Sequence, residues 1–128
     1  MWNRSENKIN CIFIRHGCTV SNREHRYLGR TDEPLDEAGV SELKNALNNG
    51  VYKALEENRL KEQIIITSPM RRCKQTAKII LPVSQYHKIH TVKELAEMDF
   101  GEWELKSYKE LSTDIRFRDS YQAWIDSG

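Results

Sequence analysis

No apolar run in these 128 residues approaches the roughly 20 that a membrane span requires, and no hydrophobic segment follows Met1-Trp2-Asn3-Arg4-Ser5. Neither a transmembrane helix nor a secretory signal is expected, which places the chain in the cytoplasm. Cysteine is scarce. Cys11, Cys18 and Cys73 are an odd number with no Cys-x-x-Cys pair, so neither a disulfide framework nor a zinc site is indicated, and reduced thiols are expected. A charge excess is also missing. Twenty Lys and Arg against nineteen Asp and Glu leave a net charge of +1, which removes any global attraction for nucleic acid or anionic membrane. Affinity for an anion must therefore be local. What remains is 38% hydrophobic and 30% charged, the balance of a soluble globular chain, and residues 1–128 are read as one domain long enough for a core.

The stretch Ile9 to Asn22 organises the rest. The apolar run Cys11 to Ile14 predicts a short buried strand that stops at Arg15-His16-Gly17. In open α/β sheets, ligands sit at the carboxyl ends of strands, so an Arg-His pair emerging there is placed to meet an anion. Gly17 can turn the chain without a Cβ in the way. Residues 23–35 then form a long polar loop with no lasting period, either an ordinary charged surface or a functional connection. Asp36 is a good N-cap, and Val40, Leu43, Leu47, Val51 and Leu55 predict a helix over 36–57. Gly50 marks where that helix would kink or break.

Gln63 to Thr67 is a β-branched run of the kind buried in a parallel sheet. It ends at Ser68-Pro69, and Pro69 suits the first position of a helix whose core face is Met70, Cys73, Ala77 and Ile80. Arg71, Lys74 and Lys78 point outward on this reading. Leu81-Pro82 closes the helix, and Lys88 to Val92 alternates as a short edge strand would. His87 and His90 have no patterned partners and read as surface groups. Residues 107–111 and 119–125 look helical, with aromatic anchors. Between them and the edge strand, Glu97 stands among apolar and aromatic residues before Gly101, a setting that raises a carboxyl pKa by desolvation and suits a proton donor.

Arg15-His16-Gly17, followed by Thr19 and Asn22, resembles the opening motif of the histidine phosphatase superfamily, the phosphoglycerate-mutase-like enzymes. Tyr27-Leu28-Gly29-Arg30-Thr31-Asp32 through Leu35 resembles that family's Gly-x-x-Asp-x-x-Leu run. Ser68-Pro69-Met70-Arg71-Arg72-Cys73-Lys74-Gln75-Thr76-Ala77 resembles its second arginine motif. Leu95 to Glu104 resembles its Leu-x-Glu-x-Asp-Phe-Gly-x-Trp-Glu-Gly segment, with Leu105 standing where glycine is usual. The resemblance implies a three-layer α/β/α fold with a mostly parallel sheet. It also implies a neutral His16 that takes the phosphoryl group, Arg15 and Arg72 as forked donors to phosphate oxygens, and Glu97 as the acid-base residue. Asn22 and the amide of Gly29 would add substrate contacts. No metal or other cofactor is implied, because the arginines supply the positive charge that phosphoryl transfer needs.

The family's second catalytic histidine, in a late His-Gly motif, has no counterpart after His90. The domain is therefore expected to lack its C-terminal part, and the first strand, without a neighbour, to favour chain pairing or a homo-oligomer. Leu28 and Met98 depart from the mutase pattern, and the run from Tyr27 to Asp32 is most similar to the α-ribazole phosphatase branch, which acts late in cobalamin assembly. Three functions stay open on the sequence: a phosphatase for a small phosphomonoester, a cofactor-dependent phosphoglycerate mutase-like enzyme, and a non-catalytic phosphate-binding remnant. The partner in each case is a small phosphorylated molecule, with no nucleic acid and no membrane.

Overall fold

The structure, a computed structural model, describes residues 11–57 and 64–128, so Ile9 and Asn10 of the organising stretch and Gln63 of the predicted second strand lie outside the described residues. Helix α1 (Val20–Arg23) is short and opens on a capping box: Thr19 accepts from the Asn22 amide while Asn22 Oδ1 accepts from the Thr19 amide. The predicted 36–57 helix is two helices, α2 (Glu37–Asn48) and α3 (Lys53–Glu57). They separate at Gly50, whose φ of 74° is a left-handed conformation that glycine adopts without a Cβ penalty. As expected, Asp36 caps α2, accepting from the Gly39 amide at 2.5 Å.

Strand β1 (Ile65–Thr67) pairs in parallel with β2 (Ile89–Thr91), Ile65 opposite Ile89 and Thr67 opposite Thr91. Between them runs α4 (Arg71–Ile80), which packs on β1 and on α2. The α/β architecture and the parallel sheet are those expected from the sequence. Leu35, Leu43 and Ile80 are the buried centre of this half. In α4 the buried positions are Arg72, Thr76 and Ile80, whereas Cys73 and Ala77 of the predicted face are half-buried. Pro69 lies ahead of the helix, whose N-cap is Met70.

The predicted buried strand at Cys11–Ile14 is not formed. These residues have no ladder partner among the described residues, and Phe13 is 93% exposed. Ile64 and Ile66 are also exposed, so the run before Ser68 is not the doubly covered strand its composition predicts. The physical reason is the same for both. A β-branched run is buried only where strands or helices cover it, and the sheet has two strands among the described residues.

The second cluster is aromatic. Helices α5 (Tyr108–Thr113) and α6 (Arg118–Ser127) enclose Leu111, Phe117 and Tyr121, with Tyr27 and Trp103 packed against them. Tyr27 reaches this cluster because its amide donates to the Lys106 carbonyl at 3.0 Å and its carbonyl accepts from the Leu105 amide at 2.8 Å. Leu105 pairs there with φ 60°, in the left-handed region that glycine takes more cheaply. This pairing brings the 97–104 segment against the Gly29–Thr31 bend, and with it the two halves of the candidate site.

Candidate active site

The chain passes close to α2 at Gly17. A Cβ on Gly17 would sit 2.6 Å from Leu43 Cδ1, so the glycine serves close approach to the core side chains rather than turning. The Gly17 amide donates to Thr76 Oγ1 at 3.0 Å, and that hydroxyl donates to the Arg72 carbonyl at 2.8 Å. The loop carrying His16 is thus fastened to the first turns of α4. His16 is half-buried, and its Nδ1 lies 2.7 Å from the Gly17 carbonyl oxygen. A carbonyl only accepts, so Nδ1 carries the proton, and in the neutral ring Nε2 keeps its lone pair. Burial lowers the His16 pKa below its ordinary 6.5. Arg72 and Arg15 push it further down, against the Gly17 carbonyl and Glu97, which favour the charged form. Arg15, Arg72 and Glu97 are therefore each close enough to His16 to act on it electrostatically.

Arg72 is 1% exposed. Its Nη1 donates to the Thr31 carbonyl at 3.0 Å and its Nη2 to the Gly29 carbonyl at 2.9 Å, while Nε is buried with no partner among the described residues. Arg15 is exposed and makes no hydrogen bond or ion pair among the described residues. Asn22 is half-buried, and its Oδ1 is engaged in the capping box, which leaves its Nδ2 hydrogens as the donors for a ligand.

Two expectations are corrected by the surroundings. The amide of Gly29 does not face open space: it donates to Glu104 Oε1 at 2.8 Å, and Gly29 is buried. A Cβ at Gly29 would lie 2.1 Å from the Met98 carbonyl oxygen, so the glycine is required by the 97–104 segment pressed against it. Glu97 is exposed rather than enclosed by apolar groups, because its flanking Leu95 and Met98 are themselves exposed. The Glu97 main chain is held by Arg30, whose Nε donates to its carbonyl at 2.6 Å, and its Oε1 accepts from the Met98 amide at 2.9 Å.

Four residues in the matched motifs have roles that motif matching does not reveal. Asp32 accepts from the Arg71 amide at 2.6 Å and so caps α4 from the loop, where Met70 offers no side-chain cap. Gln75 accepts from the Leu35 amide at 2.8 Å. Thr76 holds Gly17, and Glu104 holds Gly29 and Thr31, the latter at 2.9 Å. The visible signal was a polar residue on an otherwise inward helix face, at Thr76, but its partner, 59 residues away, was not. A hollow of about 360 Å³ is lined by Arg15 together with Ile12, Phe13, Ile14 and Tyr52, but not by His16, Arg72 or Glu97.

Among curated proteins, the adenosylcobalamin/alpha-ribazole phosphatase of Escherichia coli (strain K12) is 30% identical over 115 residues, covering 88% of this chain and 51% of that protein. The 2,3-bisphosphoglycerate-dependent phosphoglycerate mutase of Corynebacterium efficiens is 28% identical over 116 residues, covering 88% of this chain and 44% of that one. The crystal structure of the alpha-ribazole phosphatase from Shigella flexneri superposes with a TM-score of 0.68 at 27% identity, over 88% of this chain and 51% of its own. The chain spans about half the length of the relatives it matches. Residues 11–128 match the model of the histidine phosphatase superfamily (branch 1), and the chain belongs to that family.

Proposed function

We propose that this chain carries the phosphate-handling part of a phosphatase that hydrolyses a small phosphomonoester through a phosphohistidine on His16. The observation that carries the reading is the state of that ring. It is half-buried, its pKa is lowered, and Nδ1 is committed to the Gly17 carbonyl, so a neutral Nε2 is available as nucleophile at pH 7. In the first step Nε2 bonds to phosphorus, the bond from phosphorus to the ester oxygen breaks, and Glu97 gives its proton to the departing alkoxide. In the second, the Glu97 carboxylate takes a proton from water, the water oxygen bonds to phosphorus, and the bond from phosphorus to nitrogen breaks to restore His16. Arg15 and Asn22 Nδ2 supply donors to the phosphoryl oxygens, and Arg72 supplies positive charge from behind the Gly29–Thr31 bend.

The substrate we propose is α-ribazole phosphate. Support comes from the similarity to alpha-ribazole phosphatases and from exposed Met98, which offers no polar group for a phosphoglycerate carboxylate. Leu28, the other departure from the mutase pattern, is 8% exposed and belongs to the core, so it does not bear on the substrate. Denaturing acid-free quench after mixing with labelled substrate tests the mechanism: an acid-labile, alkali-stable phosphate on the wild type and none on His16→Ala is expected. Faster turnover of 2- or 3-phosphoglycerate than of α-ribazole phosphate would reject the substrate. A second reading, a phosphate-binding remnant without turnover, is favoured by the exposure of Glu97, which lacks the apolar enclosure expected of the acid-base residue. Phosphate that stabilises the fold without any labelled histidine would select it.

A further inference from the structure

The bend at Gly29–Thr31 is held from two directions by groups of opposite charge. Its two amides converge on one oxygen, Glu104 Oε1, at 2.8 and 2.9 Å, the arrangement of a backbone nest around an anion. The carbonyls of the same two residues accept from Arg72 Nη2 and Nη1 at 2.9 and 3.0 Å. Glu104 Oε2 is buried without a partner among the described residues, and it lies 2.9 Å from where a Gly29 Cβ would be. Neither the carboxylate nor the guanidinium has an ion-pair partner among the described residues, so each finds its charge complement in the peptide groups of one three-residue bend. A buried guanidinium is placed by whatever holds its acceptors.

We infer that Glu104 is a positioning residue for Arg72: by fixing the Gly29 and Thr31 amides it fixes the two carbonyls that orient the guanidinium. The inference rests on the phosphatase reading only where it concerns phosphate. Its physical content is the coupling of the buried Arg72 to the half-buried Glu104 through a main-chain bend. Glu104 therefore acts on the site without touching a substrate. Gln at this position keeps an oxygen in the nest, whereas Asp keeps the charge but withdraws the oxygen by a bond length.

The test follows wild-type protein, Glu104→Ala, Glu104→Asp and Glu104→Gln by NMR, through the Gly29 and Thr31 amides, the Arg72 Nε–H resonance and titration with inorganic phosphate. In Glu104→Ala both amides are expected to exchange faster, the Arg72 signal to move toward that of a solvated arginine, and the phosphate Kd to rise about tenfold, one charge-assisted bond's worth. Amides within α2 should stay protected. Glu104→Asp should show the same changes more weakly, and Glu104→Gln should restore the Arg72 signal and most of the affinity. If Glu104→Ala does not fold, Asp against Gln decides. Equal Arg72 signals in those two variants would overturn the inference, as would loosened amides with an unmoved Arg72 signal. Wild-type protein that does not bind phosphate would sink the phosphatase reading, and the Arg72 signal alone would then judge the positioning.

Discussion

Adding one methyl group at Gly29 tests the packing that brings the site together. An alanine Cβ there would meet the Met98 carbonyl oxygen at 2.1 Å, the Phe100 ring at 2.8 Å and Glu104 Oε2 at 2.9 Å. The nearest obstacle is backbone, and it cannot swing aside. Arg30 holds the Glu97 carbonyl, and the Tyr27–Leu105 pairing holds the other end of the segment. Relief must come from moving the bend away, which stretches both amide bonds to Glu104. Overpacking a tight site costs about 1–3 kcal/mol, and a weakened bond to a charged acceptor adds to it, so a loss of about 2–3 kcal/mol is expected. For a chain of this length that is a fall of roughly 6–15 °C in Tm. Urea and thermal unfolding followed by circular dichroism would measure it, with Gly101→Ala as the comparator. Gly101 has φ 54° and open space around it, so its cost is conformational only, about 1–2 kcal/mol. Gly29→Ala within about 0.5 kcal/mol of wild type, a shift typical of unconstrained surface sites, would refute the packing described here.

Three further outcomes follow from the same contacts. The His16 pKa is lowered in the fold, so between that value and 6.5 the unfolded chain binds more protons, and the His16 contribution to stability is complete above 6.5 and lost as pH falls below it. Urea midpoints from pH 5 to 7 should rise with pH more steeply in wild type than in His16→Ala, and equal slopes would contradict the shift. Thr76→Val leaves the half-buried Gly17 amide without its acceptor and should cost about 1 kcal/mol in urea unfolding; no loss would mean the His16 loop is not fastened to α4. Exposed Phe13, Ile12, Ile64 and Ile66 should drive concentration-dependent self-association in size-exclusion chromatography, reduced by Phe13→Lys, whereas a sharp concentration-independent monomer would count against it.

The elements that carry their own signal were legible in the sequence. Asp36 with the apolar spacing of Val40, Leu43 and Leu47 marks α2, Gly50 marks its end, and Ile89–Thr91 lies where alternation places an edge strand. Local pattern fails where burial depends on something remote. Cys11–Ile14 has the composition of a buried strand, but composition does not supply the strands that would cover it. Gly17 and Gly29 were expected to serve turning and ligand approach. Each instead lies against a neighbour distant in sequence, the Leu43 side chain in one case and the Met98 carbonyl, which only glycine tolerates, in the other. Glu104 and Asp32 were visible within motifs but without roles, since their hydrogen-bond partners are amides 73 to 75 and 39 residues away. Leu105 shows the converse: the departure from glycine was plain in the sequence, and the structure supplies its meaning as a left-handed backbone position occupied by a branched side chain.

The central claim is that His16, with Arg15, Arg72 and Glu97 around it, performs phosphoryl transfer in this chain. Hydrolysis of a generic aryl phosphate by the 128-residue protein, without added metal and beside His16→Ala, tests it most directly. The account predicts release of phosphate by the wild type that the substitution abolishes. Equal background rates from two folded proteins would contradict it.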